Sequence, residues 1–401
     1  MKKLFIAVLV TLIGLAFTAP SFAVEHDFGG YWRVRMYTQK NFDGTSDESG
    51  GEQDDVAKAD TRTRLFYTAT INDNLKFVNA FEMDADWGSS TSYGDIGADA
   101  VAIEVKNTYA DFNLGALNAK VGTQQTVIHR GFVFDDAASG VILASNGVTA
   151  KYLKFEENGD NAGDDITAYS LSYTADLDTV KLTPVFTYID DDNSDSVWFA
   201  GLDVDANLGG TSLWGTFVYN GGEDGSDDIK AWLVAAGGTF KLTDMFNIHG
   251  QAFYITGDDD AADGDDEEFS VIGIPSRTGA TYYWSEIMGK GIFDMGACAS
   301  NNSPGTSPTN ITAANLGVTV VPMEKLSLSA DLWYARLNEE VAPGLDEDLG
   351  FEIDLKATYE LVDGLNLDVV GAYLFAGDST TNDVANDDDP WEVGTRLSLS
   401  F

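Results

Sequence analysis

An all-β chain, closed into one transmembrane antiparallel β-barrel of about 18 strands, is what this sequence predicts, and three observations carry the prediction. Segments of roughly ten to twelve residues alternate apolar and polar side chains, the period-two pattern of a strand with one oily and one wet face. The connections between these segments take turns along the chain, short and then long and acidic. Beyond Phe17, no apolar stretch approaches the roughly 18 residues that mark a membrane-spanning helix.

The first element is an export signal. Lys2 and Lys3 precede an apolar stretch from Leu4 to Phe17, and Ser21-Phe22-Ala23 supplies the small residues required before a cleavage site. A Sec signal peptide is therefore expected over 1–23, cleaved after Ala23, with the barrel occupying 24–401. The apolar stretch is shorter than the roughly 20 residues of a bilayer-crossing helix.

Strands are expected near 28–38, 60–71, 75–87, 100–112, 118–126 and 138–144, then 148–156, 166–175, 179–189, 196–206, 211–220 and 229–241. The remainder fall near 246–257, 312–321, 326–338, 350–361, 365–376 and 390–401, giving 18 with 16 as the alternative. Tetrads such as Ile71-Asn72-Asp73-Asn74, Ala144-Ser145-Asn146-Gly147 and Leu361-Val362-Asp363-Gly364 carry the Asn, Asp and Gly of tight hairpins. Acidic stretches (41–55, 156–165, 190–195, 221–228, 258–268 and 378–389) separate the opposite strand ends. An even strand count places both termini on the short-turn side.

The alternation is clearest late in the chain. Phe351, Ile353, Leu355, Ala357, Tyr359 and Leu361 form one parity, while Glu352, Asp354, Lys356, Thr358 and Glu360 form the other. The strand ending at Phe401 repeats it, with Val393, Leu397 and Leu399 opposed to Glu392, Arg396 and Ser398. Ten tilted residues climb about 25 Å, the height of an outer-membrane apolar band. A soluble sandwich also alternates, but it has no need of loop lengths that differ systematically by side.

Composition narrows the function classes. With 23 Lys+Arg against 65 Asp+Glu, the formal charge is −42, which excludes a nucleic-acid binder that needs a basic footprint. A hydrophobic share of 44% with 12% aromatics argues against an acidic disordered chain. Cys298 is the single cysteine, so neither an intrachain disulfide nor a Cys-based zinc site is available, and no cofactor or metal is expected. Across Asp258–Glu268 no register satisfies a calcium-loop pattern: with Gly264 at the sixth position, Ala261 and Ser270 occupy ligand positions. Diffuse divalent bridging to lipopolysaccharide is the weaker reading of this segment, a solvated loop the stronger.

Together, the signal segment, the hairpin array and the tail Leu397/Leu399/Phe401 resemble a Gram-negative outer-membrane porin. That resemblance implies residence in the outer membrane, barrel assembly signalled through Phe401, and possible homotrimers. It also implies a water-filled channel for passive diffusion of small hydrophilic solutes and ions. Tyr109–Gln125 looks like the porin strand pair before the constriction loop, which would place an inward loop over 127–140. The PEFGG-type loop motif of general porins is absent.

Selectivity in such a channel depends on lumen charge. Trp32, Val34 and Met36 are the apolar parity of the first strand, which turns Arg33 and Arg35 inward. Leu65, Tyr67 and Ala69 do the same for Arg62 and Arg64, and closure brings Arg396 alongside. Two arrangements are open for this basic wall. Either the guanidiniums pair with Glu82, Asp84, Glu392 and other wall carboxylates, or they face Asp135 and Asp136 on the inward loop, near Arg130, across a transverse field. Most of the surplus negative charge sits on outer loops screened over a Debye length of about 8 Å, so weak selectivity leaning to cations is expected.

The longest insertion, 258–311, holds Tyr282-Tyr283-Trp284 and Cys298, and could cap the pore, line a vestibule or cover the rim. Its aromatics motivate a substrate-specific channel or polysaccharide exporter as the alternative function. A surface adhesin or a barrel enzyme are remote alternatives. For the enzyme, His249 points inward beside Asn247 and Gln251, but no nucleophile can be assigned to it.

Overall fold

The computed structural model describes residues 24–42, 55–88, 103–157, 165–191, 196–260, 263–269, 282, 284–294, 309–340, 344, 346–381 and 387–401. The signal segment and Cys298 lie outside them.

Eighteen long strands close on one another. In chain order they are β1 (Glu25–Lys40), β2 (Val56–Asn72), β3 (Leu75–Asp86), β4 (Glu104–Leu114), β5 (Leu117–Ile128) and β6 (Phe134–Ser145). Next come β7 (Val148–Glu156), β8 (Ile166–Tyr173), β9 (Val180–Asp191), β10 (Ser196–Asn207), β11 (Thr211–Asp224) and β12 (Asp227–Lys241). The circuit finishes with β13 (Phe246–Ile255), β14 (Ile311–Met323), β15 (Leu326–Leu337), β16 (Asp348–Val362), β17 (Leu365–Ala376) and β18 (Trp391–Ser400). Two further two-residue strands lie outside this set. Ala175–Asp176 prolongs β8, and Asp265–Asp266 runs parallel to the start of β12.

Each strand is antiparallel to the next, and β18 returns to β1 with Arg396 opposite Arg35 and Leu399 opposite Trp32. Closure satisfies both edges, which an apolar surrounding requires because it offers no partner for a free N–H or C=O. At the seam the Gly30 N–H donates to the Phe401 carbonyl at 2.8 Å, and the Phe401 N–H donates back at 3.1 Å.

Turn chemistry explains the short side. Between β6 and β7, Asn146 and Gly147 both have positive φ, 49° and 84°, as a two-residue type I′ hairpin demands. Three of the short turns carry a small register irregularity, at Thr70/Asn72, Val320/Met323 and Glu360/Val362.

The exterior parity is apolar throughout: Phe351, Ile353 and Leu355 on β16, Val369 and Phe375 on β17, and Val393 on β18 are all exposed. The interior parity is graded. On β17 it runs from Asn366 and Asp368 at the short-turn end, through Val370, to Ala372 and Leu374 at the long-loop end. On β15 it runs from Ser327, Ser329 and Asp331 to Trp333, Ala335 and Leu337. On β13 the antiparallel sense gives Asn247, His249 and Gln251, then Phe253 and Ile255. The short-turn half of the lumen is thus polar. The long-loop half holds a buried apolar cluster that includes Leu153, Phe199, Leu233, Phe253, Ile311 and Leu374.

Candidate functional site: a constricted lumen

Two segments enter the barrel. The loop expected over 127–140 is shorter than anticipated, because β5 continues to Ile128 and β6 begins at Phe134. Only His129–Val133 lies between them. His129 and Arg130 adopt positive φ, 48° and 57°, and this left-handed bend turns the backbone inward. His129 Nδ1 comes to 3.3 Å from Asp203 on β10, and Gly201 leaves room for the imidazole ring. Arg130 Nη2 lies 2.9 Å from Asp205, Arg130 Nε donates to Thr216 at 3.0 Å, and the guanidinium sits 5.4 Å from the Trp214 ring centre. Phe132 is buried and stacks on Tyr282 at 4.0 Å between centroids.

Tyr282 belongs to the second segment, the interior part of the long insertion. Residues 284–294 dock against β1, β13, β15, β16 and β18 rather than over the rim. Trp284 packs edge-on to Phe253 at 5.4 Å and to Trp333 at 5.1 Å. Glu352, fully buried on the inner face of β16, accepts from the backbone N–H of Ile287 at 2.7 Å, the N–H of Met288 at 2.8 Å and the Ser285 hydroxyl at 3.0 Å. Three donors on one carboxylate satisfy a charge that would otherwise be costly to bury.

At the far end of this segment Phe293 stacks on Tyr37 at 4.5 Å and covers Gly394. A Cβ on Gly394 would come within 2.5 Å of the Phe293 ring, so only glycine admits the ring at this point of β18. Asp294 then reaches two members of the basic wall, Arg33 Nη2 at 2.8 Å and Arg35 Nη1 at 2.7 Å. Burial on its own would raise Asp294, but the guanidiniums of Arg35 and Arg33 outweigh it and hold the carboxyl below its ordinary range.

The basic wall is placed on the inner face, and every guanidinium in it has a carboxylate. Arg35 Nη2 donates to Asp60 at 2.7 Å, Arg62 Nη2 to Asp84 at 2.6 Å, and Arg396 Nε to Asp368 at 2.9 Å. Arg64 pairs with Glu82. These pairs separate like charges that the register sets side by side, Arg33 beside Arg62 and Arg35 beside Arg396. Glu392 is occupied by Gln39, whose Nε2 donates to it at 2.8 Å.

Asp135 and Asp136 do not face this wall. Asp135 accepts from Gln125 Nε2 at 2.9 Å, and Asp136 lies 3.9 Å from Lys106, both along the β4–β5–β6 side. The carboxylate that meets Arg33 and Arg35 is Asp294, which the sequence reading did not single out, nor Glu286, Phe293, Glu352 or Asp354. The inward parity of Glu352 and Asp354 was visible in the alternation of β16. Nothing local marks 284–294 as an interior segment, because every contact that holds it is distant in sequence.

A pocket of about 370 Å³ remains beside the docked segment. His249, Trp284, Glu286, Asp331, Trp333 and Asp354 are among its lining residues. His249 Nε2 lies 2.8 Å from Asp331, which also accepts from Asn315 Nδ2 at 2.7 Å. Gly317, between them on β14, leaves the space this pair fills. Glu286 is pushed up by burial, partly offset by the Ile292 backbone N–H that its carboxylate accepts.

Comparison with known proteins gives the fold and no more specific kinship. No protein-family model matches the sequence, and no curated protein matches it. Solved structures do match. OccK9 (OpdG) of Pseudomonas aeruginosa superposes with a TM-score of 0.63 at 11% identity, covering 94% of this chain and 99% of that one. OccAB1 of Acinetobacter baumannii gives 0.58 at 13% identity, covering 96% and 99%. OpdK of Pseudomonas aeruginosa, in a structure with vanillate, gives 0.58 at 12% identity, covering 94% and 98%. The chain has the fold of these outer-membrane channel porins, as the hairpin array predicts.

Proposed function

We propose that the protein is an outer-membrane channel that passes small hydrophilic solutes through a lumen narrowed by its own inserted segment. The observation that carries this reading is the inversion of the barrel, apolar outside and charged within at the short-turn half, with a pocket left beside residues 284–294. A closed ring of 18 strands is too wide for side chains alone to fill, so whatever occupies the lumen sets the passage. The export signal over 1–23 and the exposed Phe401 at the seam, expected to be read by the barrel-assembly machinery, support delivery to that membrane.

Between general diffusion and a substrate-specific channel, the docked segment favours the second. It lies inside the ring of strands and is anchored at both ends by buried contacts. OpdK is solved with vanillate, a carboxylate. A comparable ligand here would meet wall guanidiniums that already hold Asp60, Asp84, Asp294, Asp368 and Glu82. The structures that share the fold are channels, and His249 is committed to Asp331, so hydrolysis has little support.

Planar-bilayer recording on the purified chain tests this. Discrete, small current steps are expected, with slow swelling of proteoliposomes in uncharged sugars. A protein that inserts yet carries no current, or that stays soluble without detergent, would remove the channel reading.

A further inference from the structure

We infer that the lumen pocket beside residues 284–294 is a binding site for a small organic cation, an alkylammonium head with a few carbons. The inference depends on the channel reading for its consequence in transport, though not for binding itself.

Charge is the first ground. The pocket presents the carboxylates of Glu286, Asp331 and Asp354 against one ammonium, Lys356, and one imidazole, His249. Glu352 stands directly behind Asp354, adding a further buried carboxylate. With its three carboxyls ionised the lining is net negative even when His249 is protonated, and the wall guanidinium of Arg396 is held by Asp368.

The second ground is an unmet partner. Asp354 is only 9% exposed and lines the pocket, yet its Oδ1 has no hydrogen-bond partner. Its Oδ2 is met by the Glu286 N–H at 3.4 Å, a long contact, and the Asp354 carboxyl lies against that of Glu352. A buried carboxylate oxygen without a donor is costly, and an N–H or N⁺ from a solute would satisfy it.

Shape is the third ground. Trp284 and Trp333 supply adjoining aromatic surfaces, and such surfaces attract cations, most strongly where water is excluded. The volume of about 370 Å³ falls within the roughly 300–1,000 Å³ of small-molecule sites. Among the described residues, no group of three or more His, Asp or Glu could hold a metal ion, which favours an organic cation.

Isothermal titration of the detergent-folded full chain with propylammonium, glycine and propionate tests the site, and bilayer recording with the same solutes tests its consequence. Saturable propylammonium binding is expected, weakened about tenfold or more in both Asp354→Asn and Glu286→Gln, and tightening as pH rises because the ionised carboxyls are the binding form. Lys356→Met should retain or strengthen it. Propionate or glycine binding as tightly as propylammonium would overturn the cation assignment, and affinity unchanged in both carboxylate variants would overturn the site. Propylammonium should also interrupt the bilayer current. A chain that binds it but conducts nothing would remove the channel reading while leaving the pocket in place.

Discussion

The two halves of the lumen solve the same problem in opposite ways. Toward the long loops, Ile229, Ala231, Leu233 and Ala235 of β12 face inward and pack with Phe199, Phe253 and Ile311, so this side of the interior is held by burial of apolar surface. At mid-depth Arg33, Arg62, Arg64 and Arg396 face inward, each against a carboxylate, and from there toward the short turns the inward parity is polar. The contrast shows that one closed sheet can carry an apolar core and a charged lumen wall in series, with the inserted segment at their junction. Trp284 and Ile287 belong to the apolar side of that segment, Phe293 and Asp294 to the ionic side.

Breaking the junction at its apolar end has the largest expected effect. Glu352→Ala strands the N–H groups of Ile287 and Met288, at a cost of about 3 kcal/mol to docking. Single-channel conductance should rise several-fold, and residues 284–294 should become sensitive to protease. If conductance stays at the wild-type level, the segment is not what narrows the passage.

Gly394→Val comes next, since its side chain would occupy the place of the Phe293 ring. Overpacking of this kind costs about 2 kcal/mol. The expected readout is a noisier, larger current with the barrel intact by heat-modifiable gel mobility, and a quiet wild-type trace would contradict the placement of that ring.

Asp294→Asn sharpens the comparison on its ionic side. The change leaves Arg33 without its carboxylate and Arg35 with Asp60 alone, so reversal potentials should move toward anions by several millivolts, with about 1–2 kcal/mol lost from docking. No movement would show that ions do not sample this wall.

pH acts on the same junction from both sides. Asp294 is held low, so its contribution to docking is present above the ordinary carboxylate range and is lost as pH falls through its depressed value. Glu286 is held high, so docking weakens as pH rises from the ordinary carboxylate range through its raised value. Conductance should therefore pass through a minimum in mildly acidic solution. A monotonic profile would show that one of the two carboxyls does not respond to docking.

Asp136→Asn, on the β4–β6 side, should change stability by less than about 0.5 kcal/mol and leave current untouched, because its partner Lys106 is 3.9 Å away and neither group reaches the segment.

How much of this was legible depends on the contrast between faces. Where one parity is apolar and the other charged, as in Phe351–Leu355 against Glu352–Lys356, strand, face and register follow from the alternation. In β12, Trp232 and Val234 face out while Ala231 and Leu233 face in, so both parities are apolar and the apolar half of the lumen leaves no mark in the pattern. The five wall arginines could be assigned to one face from sequence, with Glu82 and Asp84 among their possible partners, but the carboxylate that meets Arg33 and Arg35 could not. Asp135 and Asp136 occupy the sequence position where a porin-like constriction would put it, whereas Asp294 arrives from a segment some 260 residues away from Arg33. Proximity of that kind is set by the closure of the ring, not by spacing.

Two of the three donors that Glu352 holds are main-chain amides, the third being the Ser285 hydroxyl. Those two bonds do not depend on which side chains residues 287 and 288 carry, whereas the buried packing of Ile287 and Met288 does. Variation at 287 and 288 therefore acts on how the segment packs inside the hoop of strands, while its main-chain attachment to β16 is inherited unaltered.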